Sequence, residues 1–334
     1  MERKMASIQM IDAILPIEGA DVIEVAVVGG WKVVVKKGEY SAGDTVVYCE
    51  IDSWIPNAIA PFLTKPEHFP KEYNGVLGER LRTVKLRGQV SQGLILPVSV
   101  CEMIDSLLFV GLDVSVPLGI QKWEAPEEAG KASEAKGSFP HFLRKTDQER
   151  VQNLRGELLA RQGGSFEATV KRDGSSCTAY VFDGEIGVCS RNINLREVEG
   201  NGFWDVVKKN DIHAKIIQTG RDLAVQGELI APNIQGNYEK VVKPEFHCFS
   251  IFDIDKQEYL LLQERRAICE KVGIPHIKVL DENFILNHSC DELLAYAEGD
   301  GVNSGVKREG VVFKSNTDQF SFKAVSNSYL LKKG

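Results

Sequence analysis

The chain has 334 residues, 43% of them hydrophobic and 26% charged, which is the balance of a globular protein and enough length for two domains. Its net charge of -7 and pI of about 5.6 exclude a strongly basic nucleic-acid-binding protein but not a local basic groove. No signal-peptide pattern or apolar run of bilayer length is visible, so we expect no membrane partner and a cytoplasmic location, with the nucleus as the alternative. The 7 cysteines lack zinc spacing and are expected to be reduced core thiols.

Residues 1–121 are predicted to form an all-β domain. The β-branched runs at residues 31–37 and 45–51 are typical of strands, and the residues between them are rich in turn formers. Further strands are predicted at residues 79–87 and 94–97. About five short strands in this length favour a small closed barrel.

Two passages of this domain resemble OB-fold domains, particularly those that bind tRNA: residues 36–44 (Lys-Lys-Gly-Glu-Tyr-Ser-Ala-Gly-Asp) and residues 87–96 (Arg-Gly-Gln-Val-Ser-Gln-Gly-Leu-Ile-Leu). The resemblance implies nucleic-acid binding. One predicted strand carries a cluster of basic side chains that could follow a phosphate backbone, namely Arg80, Arg82, Lys85 and Arg87. A solvated strand face without a ligand is the alternative, and both interpretations stay open.

Residues 122–144 are predicted to be a linker, because Ala, Glu, Lys and Gly dominate them and apolar side chains return only at Phe139. The second domain, residues 145–334, is predicted to mix helices and strands. The spacing of Thr146 and Glu149 fits a capping box and predicts a short helix at its start. Further helices are predicted at residues 202–219, 261–272 and 291–298, and strands at residues 223–230, 246–254, 311–314 and 319–325.

The sequence Val170-Lys171-Arg172-Asp173-Gly174 places a lysine at the end of one predicted strand and just before a tight turn. Residues 176–182 are predicted to return as the second strand of a hairpin. A lysine at the rim of a sheet has the fixed angle of attack that a nucleophile needs. An amine attacks only when neutral, so burial or nearby positive charge would have to lower its pKa. For this stretch alone, a surface lysine beside an ordinary turn is the alternative.

Further passages follow Lys171-x-Asp173-Gly174 in a fixed order: Ser190-Arg191-Asn192, Gly227-Glu228-Leu229, Phe249-Ser250-Ile251-Phe252-Asp253-Ile254, Glu309-Gly310-Val311-Val312-Phe313-Lys314, and Phe322-Lys323 before Tyr329-Leu330-Leu331-Lys332. In this order they resemble the covalent nucleotidyltransferases, which include ATP-dependent ligases and mRNA capping enzymes. The resemblance covers nearly all of the second domain. It implies an α+β protein, in which an N-terminal OB-like β-barrel precedes a nucleotidyltransferase (ATP-grasp-like ligase) domain of antiparallel sheets and helices.

The resemblance also implies the chemistry. Lys171 would attack the α-phosphate of ATP, form a lysyl-phosphoramidate and release pyrophosphate. Asp173 and Glu309 match the acids that hold the metal ion, Mg²⁺ or Mn²⁺, whose charge would also lower the lysine pKa.

The remaining matches are nucleotide-binding residues. Arg191 and Glu228 would contact the ribose, and Arg191 later a nucleic-acid phosphate. Phe249 would stack on the base, and Lys323 with Lys314 would bind the α-phosphate. Some RNA ligases have a glutamate where this chain has Val170, so base choice is expected to depend on Thr169 and main-chain groups, and the preference for ATP over GTP comes from the resemblance.

Domain order points to one branch of the superfamily. Capping enzymes and DNA ligases place an OB domain after the last motif, but only about 11 residues follow Lys323. An OB-like domain before Lys171 resembles the nick-sealing RNA ligases. We therefore predict a monomeric enzyme that adenylates Lys171, moves AMP to the 5′-phosphate at a nick in duplex RNA, and lets the 3′-hydroxyl displace AMP. A DNA ligase, an RNA guanylyltransferase and a non-catalytic OB-type RNA-binding protein are the alternatives.

Overall fold

The computed structural model describes residues 3–102, 107–124, 134–303 and 305–333. The chain divides into two compact units. The first contains Met1–Pro126, Gln152–Arg155 and Leu330–Gly334, and the second contains Glu127–Val151 and Gly156–Tyr329. Among the described residues, no helix has the length and apolar composition needed to cross a membrane. The seven cysteines, all among the described residues, form no disulfide bond, and six of them are buried.

The first unit is built from strands, as the β-branched sequence predicts. The described part of this unit has more strands than the five expected, because several short ones are separated by tight turns. They are β1 (Ala6–Met10), β2 (Ala13–Pro16), β3 (Ile23–Val28), β4 (Trp31–Lys36), β5 (Thr45–Cys49), β6 (Ser53–Pro56), β7 (Lys71–Tyr73), β8 (Val76–Arg80), β9 (Val84–Leu86), β10 (Gln89–Ser91), β11 (Leu94–Pro97) and β12 (Gln121–Lys122). The predicted strand at residues 79–87 is interrupted where Leu81 turns into the core.

Antiparallel pairing arranges these strands in small sheets, in the orders β1-β5-β11, β2-β3-β4, β12-β6-β8-β7 and β10-β9. Two apolar clusters fill the unit. One is centred on Ile8, Val47 and Ile55, and the other on Trp31 and Tyr48. A two-residue turn at Arg87 and Gly88 joins β9 to β10. Both residues have positive φ (48° and 84°), as this kind of hairpin turn requires.

The second unit mixes helices and strands, as predicted. Its strands are β13 (Ala135–Ser138), β14 (Glu149–Arg150), β15 (Ser165–Lys171), β16 (Ser175–Phe182), β17 (Glu185–Cys189), β18 (Ile193–Leu195), β19 (Leu223–Ile230), β20 (Glu245–Asp253), β21 (Glu258–Tyr259), β22 (Val279–Ile285), β23 (Gly310–Ser315) and β24 (Ser321–Val325). Its helices are α1 (Arg155–Ala160), α2 (Gly202–Lys209), α3 (Ile212–Ile217), α4 (Leu262–Val272), α5 (Cys290–Ala297) and α6 (Asn327–Lys333). Arg155 of α1 and the residues of α6 from Leu330 on belong to the first unit.

Two sheets organise this unit. The seven-stranded sheet has the order β13-β18-β17-β16-β19-β20-β21, and the five-stranded sheet has the order β14-β24-β23-β15-β22. The prediction of a hairpin around Asp173-Gly174 is therefore wrong. Strand β15 pairs with β22 and β23, whereas β16 pairs with β17 and β19, so the turn carries the chain from one sheet to the other.

Two local predictions also differ from the structure. The helix predicted at residues 202–219 is two helices, α2 and α3, because Asp211 between them adopts a left-handed conformation with φ 51°. The capping-box helix at residue 146 does not form there. Glu149 and Arg150 pair with β24 instead, and α1 begins at Arg155.

Part of the predicted linker, residues 122–144, forms regular structure. Residues 125–133 lie outside the described residues, and residues 135–138 form β13, which pairs with β18. Leu143 is buried in an apolar cluster of the second unit. The composition of this segment suggested a linker because its few apolar anchors come late, at residues 139–143.

Candidate active site

Lys171 is the last residue of β15 and lies opposite Gly310 of β23. This register puts Glu309, one residue before Gly310, next to the lysine. The Lys171 ammonium lies 2.8 Å from Glu309 Oε1. The two residues come from motifs more than a hundred positions apart, and strand pairing brings them into contact.

The turn after Lys171 is fixed by a buried ion-pair network. Arg172, 2% exposed, pairs with Glu239 at 3.2 Å and with Glu245 at 3.3 Å. The backbone N–H of Asp173 also donates to Glu239. Arg172 is therefore structural, and it holds the crossing between the two sheets in one conformation.

Gly174 and Glu228 meet where the chain enters the seven-stranded sheet. A Cβ on Gly174 would lie 2.5 Å from the carbonyl oxygen of Leu229 and 2.8 Å from Cγ of Glu228, so only glycine fits. Ser176 is the register partner of Glu228. The crossing thus places Glu228 beside Lys171, Asp173 and Glu309, all of which influence its pKa.

This cluster places three carboxyl groups, those of Glu228, Glu309 and Asp173, around the single lysine Lys171. The pKa of Glu228 is raised to about 8, chiefly by burial; Lys171 opposes this rise, and Glu309 and Asp173 add to it. Burial also raises the pKa of Glu309. Burial alone would lower the pKa of Lys171, but Glu309, Glu228 and Asp173 outweigh it and raise that pKa. The lysine is thus held as an ammonium, which is not nucleophilic.

The acids of this cluster fit a magnesium or manganese ion that shares its coordination with a phosphate substrate. Within the described ranges, no group of three or more His, Cys, Asp and Glu side chains could hold a metal ion by itself. Mg²⁺ is commonly bound by one or two carboxylates, with waters and substrate phosphates completing its shell. Asp173 and Glu309 are the carboxylates that flank Lys171, and added positive charge there would lower the raised pKa values of Glu228 and Glu309.

Two residues that orient Asp173 were not identified from the sequence. The Tyr329 hydroxyl donates to Asp173 Oδ1 at 2.9 Å, and Tyr329 is 9% exposed. Glu239 accepts the Asp173 backbone N–H. Tyr329 lies in the last motif, which carried no assigned role, and nothing in the local sequence pattern marks Glu239.

The same face of the five-stranded sheet presents further predicted residues. Lys323 and Thr169 are both register partners of Val312, and side chains of cross-strand partners share one face. Thr169 is buried, and its hydroxyl donates to the Val312 carbonyl at 3.3 Å. Burial raises the pKa of Glu309, and the nearby charge of Lys323 opposes this rise. The Lys323 ammonium therefore lies close to Glu309. Arg150, which the sequence patterns did not single out, is the parallel partner of Lys323 and places a second cation beside it.

Lys314 was expected at the α-phosphate, and in the structure its side chain contacts Phe249 and Ser250. Its register partner is Glu167, four residues before Lys171, or about 13 Å along the strand. The Lys314 ammonium donates to the Phe249 carbonyl and to Ser250 Oγ at 2.7 Å. Burial lowers the pKa of Lys314 to about 7. Lys314, on the five-stranded sheet, thus contacts the seven-stranded sheet at Phe249 and Ser250.

Phe249 is presented by an irregularity in β20. The pairing of β19 with β20 shifts between Gln226 and Gly227, so that Phe249 falls between the paired residues Cys248 and Ser250. Such bulges re-aim side chains beside functional sites. Phe249 is half-buried, and the Lys314 ammonium lies 5.6 Å from its ring centre. This position suits a base-stacking residue.

Arg191 follows β17 and is exposed. It pairs with Asp147 at 2.9 Å, and its side chain is 45% exposed. In the first unit, Arg80 is engaged by Asp52 at 2.7 Å and lies 3.8 Å from the centre of the Trp123 ring, which favours a structural role. Arg82, Lys85 and Arg87 are exposed on or beside the β9–β10 hairpin.

Comparison with known proteins adds independent findings. A family model described as an OB-fold domain matches residues 5–98, and one described as RNA ligase matches residues 164–325. Solved structures of Naegleria gruberi RNA ligase are similar at 45% identity. A lysine-to-alanine mutant with ATP and Mn covers 98% of this chain and 99% of that chain with a TM-score of 0.92. A glutamate-to-alanine mutant with AMP and Mn, and the enzyme with PPi, each cover 99% of both chains with a TM-score of 0.92. The comparison with curated proteins gave no match.

Proposed function

We propose a mechanism for this chain on the premise that it belongs to the RNA ligase family. It is an ATP-dependent RNA ligase that acts through a covalent lysine adenylate, and we assign the adenylated lysine to Lys171. The observation that carries this assignment is the 2.8 Å contact between Lys171 and Glu309, in a cluster that also contains Glu228 and Asp173.

In the first step, Lys171, whose side chain is 24% exposed, releases its proton to water, and its amine then attacks the α-phosphorus of ATP. The P–N bond forms as the bond to pyrophosphate breaks, giving the lysyl-AMP adduct. A bound Mg²⁺ or Mn²⁺ supplies positive charge that stabilises the reacting phosphates, and Asp173 and Glu309 are the residues that would hold it. Lys323 would neutralise charge on the α-phosphate.

The rest of the nucleotide would occupy the cleft between the two sheets. Phe249 would stack on the adenine, and Glu228 would accept a hydrogen bond from the ribose. Glu228 suits this role because it lies opposite Ser176, at the start of the strand that follows the Lys171 turn. Arg191, exposed at the end of β17, would contact the ribose first and an RNA phosphate later.

In the second and third steps, AMP passes from Lys171 to a 5′-phosphate, and the 3′-hydroxyl then forms the phosphodiester and releases AMP. We propose that the RNA is a nicked duplex and that the exposed Arg82, Lys85 and Arg87 of the first unit contact its backbone. The enzyme would act as a monomer, because one chain supplies every residue assigned to adenylation.

Incubation with α-labelled ATP or GTP and magnesium, followed by denaturing electrophoresis, tests the assignment. We expect label from ATP on the intact chain and none on Lys171→Ala. The control is Lys278→Ala, which alters an exposed lysine one residue before β22 and should retain label. Adduct that persists in Lys171→Ala would refute the role of Lys171, and label from GTP alone would indicate guanylyl transfer.

A further inference from the structure

A segment that the proposed mechanism does not use contributes residues 145–148 to a cavity that Ser250 and Lys314 also line. We call residues 139–148 the rim segment. Leu143 is buried with Tyr180 and Phe252 on the face of the seven-stranded sheet that also carries Glu228. Phe142 packs on Phe182, with the ring centres 4.5 Å apart. These anchors fix the segment against the sheet.

The backbone of the rim segment is also held by polar side chains. Gln226, 1% exposed, donates from Nε2 to the Arg144 carbonyl at 2.7 Å. The Tyr259 hydroxyl lies 3.2 Å from both the Arg144 and the Lys145 carbonyls. A loop held by this many contacts presents its side chains at defined positions.

The side chains presented there are cationic and exposed. Arg144 and Lys145 are both exposed, and the Lys145 ammonium donates to Asn192 Oδ1 at 2.9 Å, beside Arg191. Lys136 is exposed on β13, the edge strand of the same sheet. The acid within the segment, Asp147, pairs with Arg191.

We propose that Lys136, Arg144 and Lys145 form a phosphate-binding track for the RNA strand that is joined at the adenylated end. The inference rests on the proposed function and adds a surface to it. A strand whose 5′-phosphate reaches Lys171 must leave the cleft across an edge, and this edge carries fixed cations next to Arg191. Exposed cations on a rigid support bind phosphates without reading sequence.

The test compares two double variants that remove the same charge. Arg144→Gln with Lys145→Gln alters the track. Lys208→Gln with Lys209→Gln alters two adjacent exposed lysines on α2, whose buried residues join the apolar cluster on the opposite face of the sheet. A third variant, Arg144→Lys with Lys145→Arg, keeps the charge. Binding of a nicked RNA duplex is measured by fluorescence anisotropy over a salt series in the Lys171→Ala background, and self-adenylation is measured in the unmutated background.

We expect the track variant to bind RNA about tenfold more weakly, with the salt slope reduced by about 1.4 to 1.8, which corresponds to two phosphate contacts. The charge-keeping variant and the α2 variant should bind like the parent, and all of them should self-adenylate normally. Unchanged RNA affinity and slope in the track variant would overturn the inference, as would an equal loss in the α2 variant. A loss of self-adenylation confined to the track variant would assign these residues to the nucleotide and also overturn it. A parent that forms no adduct would instead refute the proposed function.

Discussion

Glu228 illustrates how burial at the site opposes folding stability. Its pKa is raised from an ordinary 4.5 to about 8, first by burial. Between these values the folded chain holds a proton that the unfolded chain releases, so the free energy of unfolding falls as pH rises through this range. Glu228→Gln removes the ionisation. We expect its melting temperature, without nucleotide or metal, to exceed that of the parent at about pH 8.5 and to approach it near pH 5.

The matched control is Glu270→Gln, which alters a side chain that is 73% exposed. This variant should melt within about a degree of the parent across the same range, since surface substitutions change stability little. A difference between Glu228→Gln and the parent that does not vary with pH would show that Glu228 ionises normally in the folded chain.

Tyr329 is predicted to position Asp173 for metal binding. The hydroxyl donates to Asp173, and burial raises the Tyr329 pKa, so the donor stays protonated. Tyr329→Phe keeps the ring, which lies 5.0 Å from that of Tyr238, and removes only the hydrogen bond. Because a bond to a charged group contributes about 1.5–3 kcal/mol, we expect the Mg²⁺ concentration for half-maximal adenylation to rise about tenfold, with a smaller change in the rate at saturating Mg²⁺.

Mg²⁺ titrations of the self-adenylation rate provide the measurement for Tyr329. A second readout, the shift of melting temperature with Mn²⁺ in the presence of a non-hydrolysable ATP analogue, separates metal binding from turnover. Tyr180→Phe, at another buried tyrosine whose hydroxyl accepts from Asn194, should leave the metal dependence unchanged. An unchanged Mg²⁺ requirement in Tyr329→Phe would leave Tyr329 without a positioning role.

At the scale of elements, the pairing of β23 with β24 explains the glycine that follows Glu309. A Cβ on Gly310 would lie 2.2 Å from the Ala324 carbonyl oxygen, so the strands must separate to admit any other residue. We expect Gly310→Ala to lower the free energy of unfolding by roughly 1–3 kcal/mol and to displace Glu309 from Lys171. Denaturant unfolding and adduct formation at a temperature where the variant stays folded would measure the two effects.

Gly156 in α1 is the control glycine, because a Cβ there meets nothing within 4 Å and alanine favours a helix. Gly156→Ala should keep or slightly raise stability and keep adduct formation. If Gly310→Ala were as stable and as active as the parent, the β23–β24 contact would be looser than the structure indicates.

At the scale of the molecule, the residues assigned to adenylation belong to one of the two units. Lys171, Asp173, Glu228, Glu309 and Lys323 all lie in the second unit. We expect deletion of residues 1–121 to spare self-adenylation more than nick sealing, because the proposed RNA-binding hairpin is removed with the first unit. Adduct formation and sealing of a nicked RNA would be compared with those of the full chain, after thermal unfolding has shown that the shortened chain is folded. Equal loss of both activities would indicate that the first unit completes the nucleotide site.

The elements that could be predicted from the sequence are those whose formation depends on residues close together in the chain. The strand before Lys171, the long strand that carries Phe249, and helices α4 and α5 follow from residue periodicity, and the structure confirms them. The order of the motifs identified the family because each motif is short and local. The pattern failed at Asp173-Gly174, where the same turn signal fits a hairpin and a crossing between sheets.

The sequence by itself determined the chemistry of this protein: a lysine, two flanking acids and a set of cations in a fixed order, preceded by a β-rich domain. Tertiary structure alone decided which of these residues meet. Strand register placed Glu309 against Lys171 and Lys314 opposite Glu167, where its ammonium reaches the Phe249 carbonyl, and α6 brought Tyr329 to Asp173 from 156 residues away. The reason is physical: contacts between distant segments depend on sheet order and register, which no local window of sequence specifies.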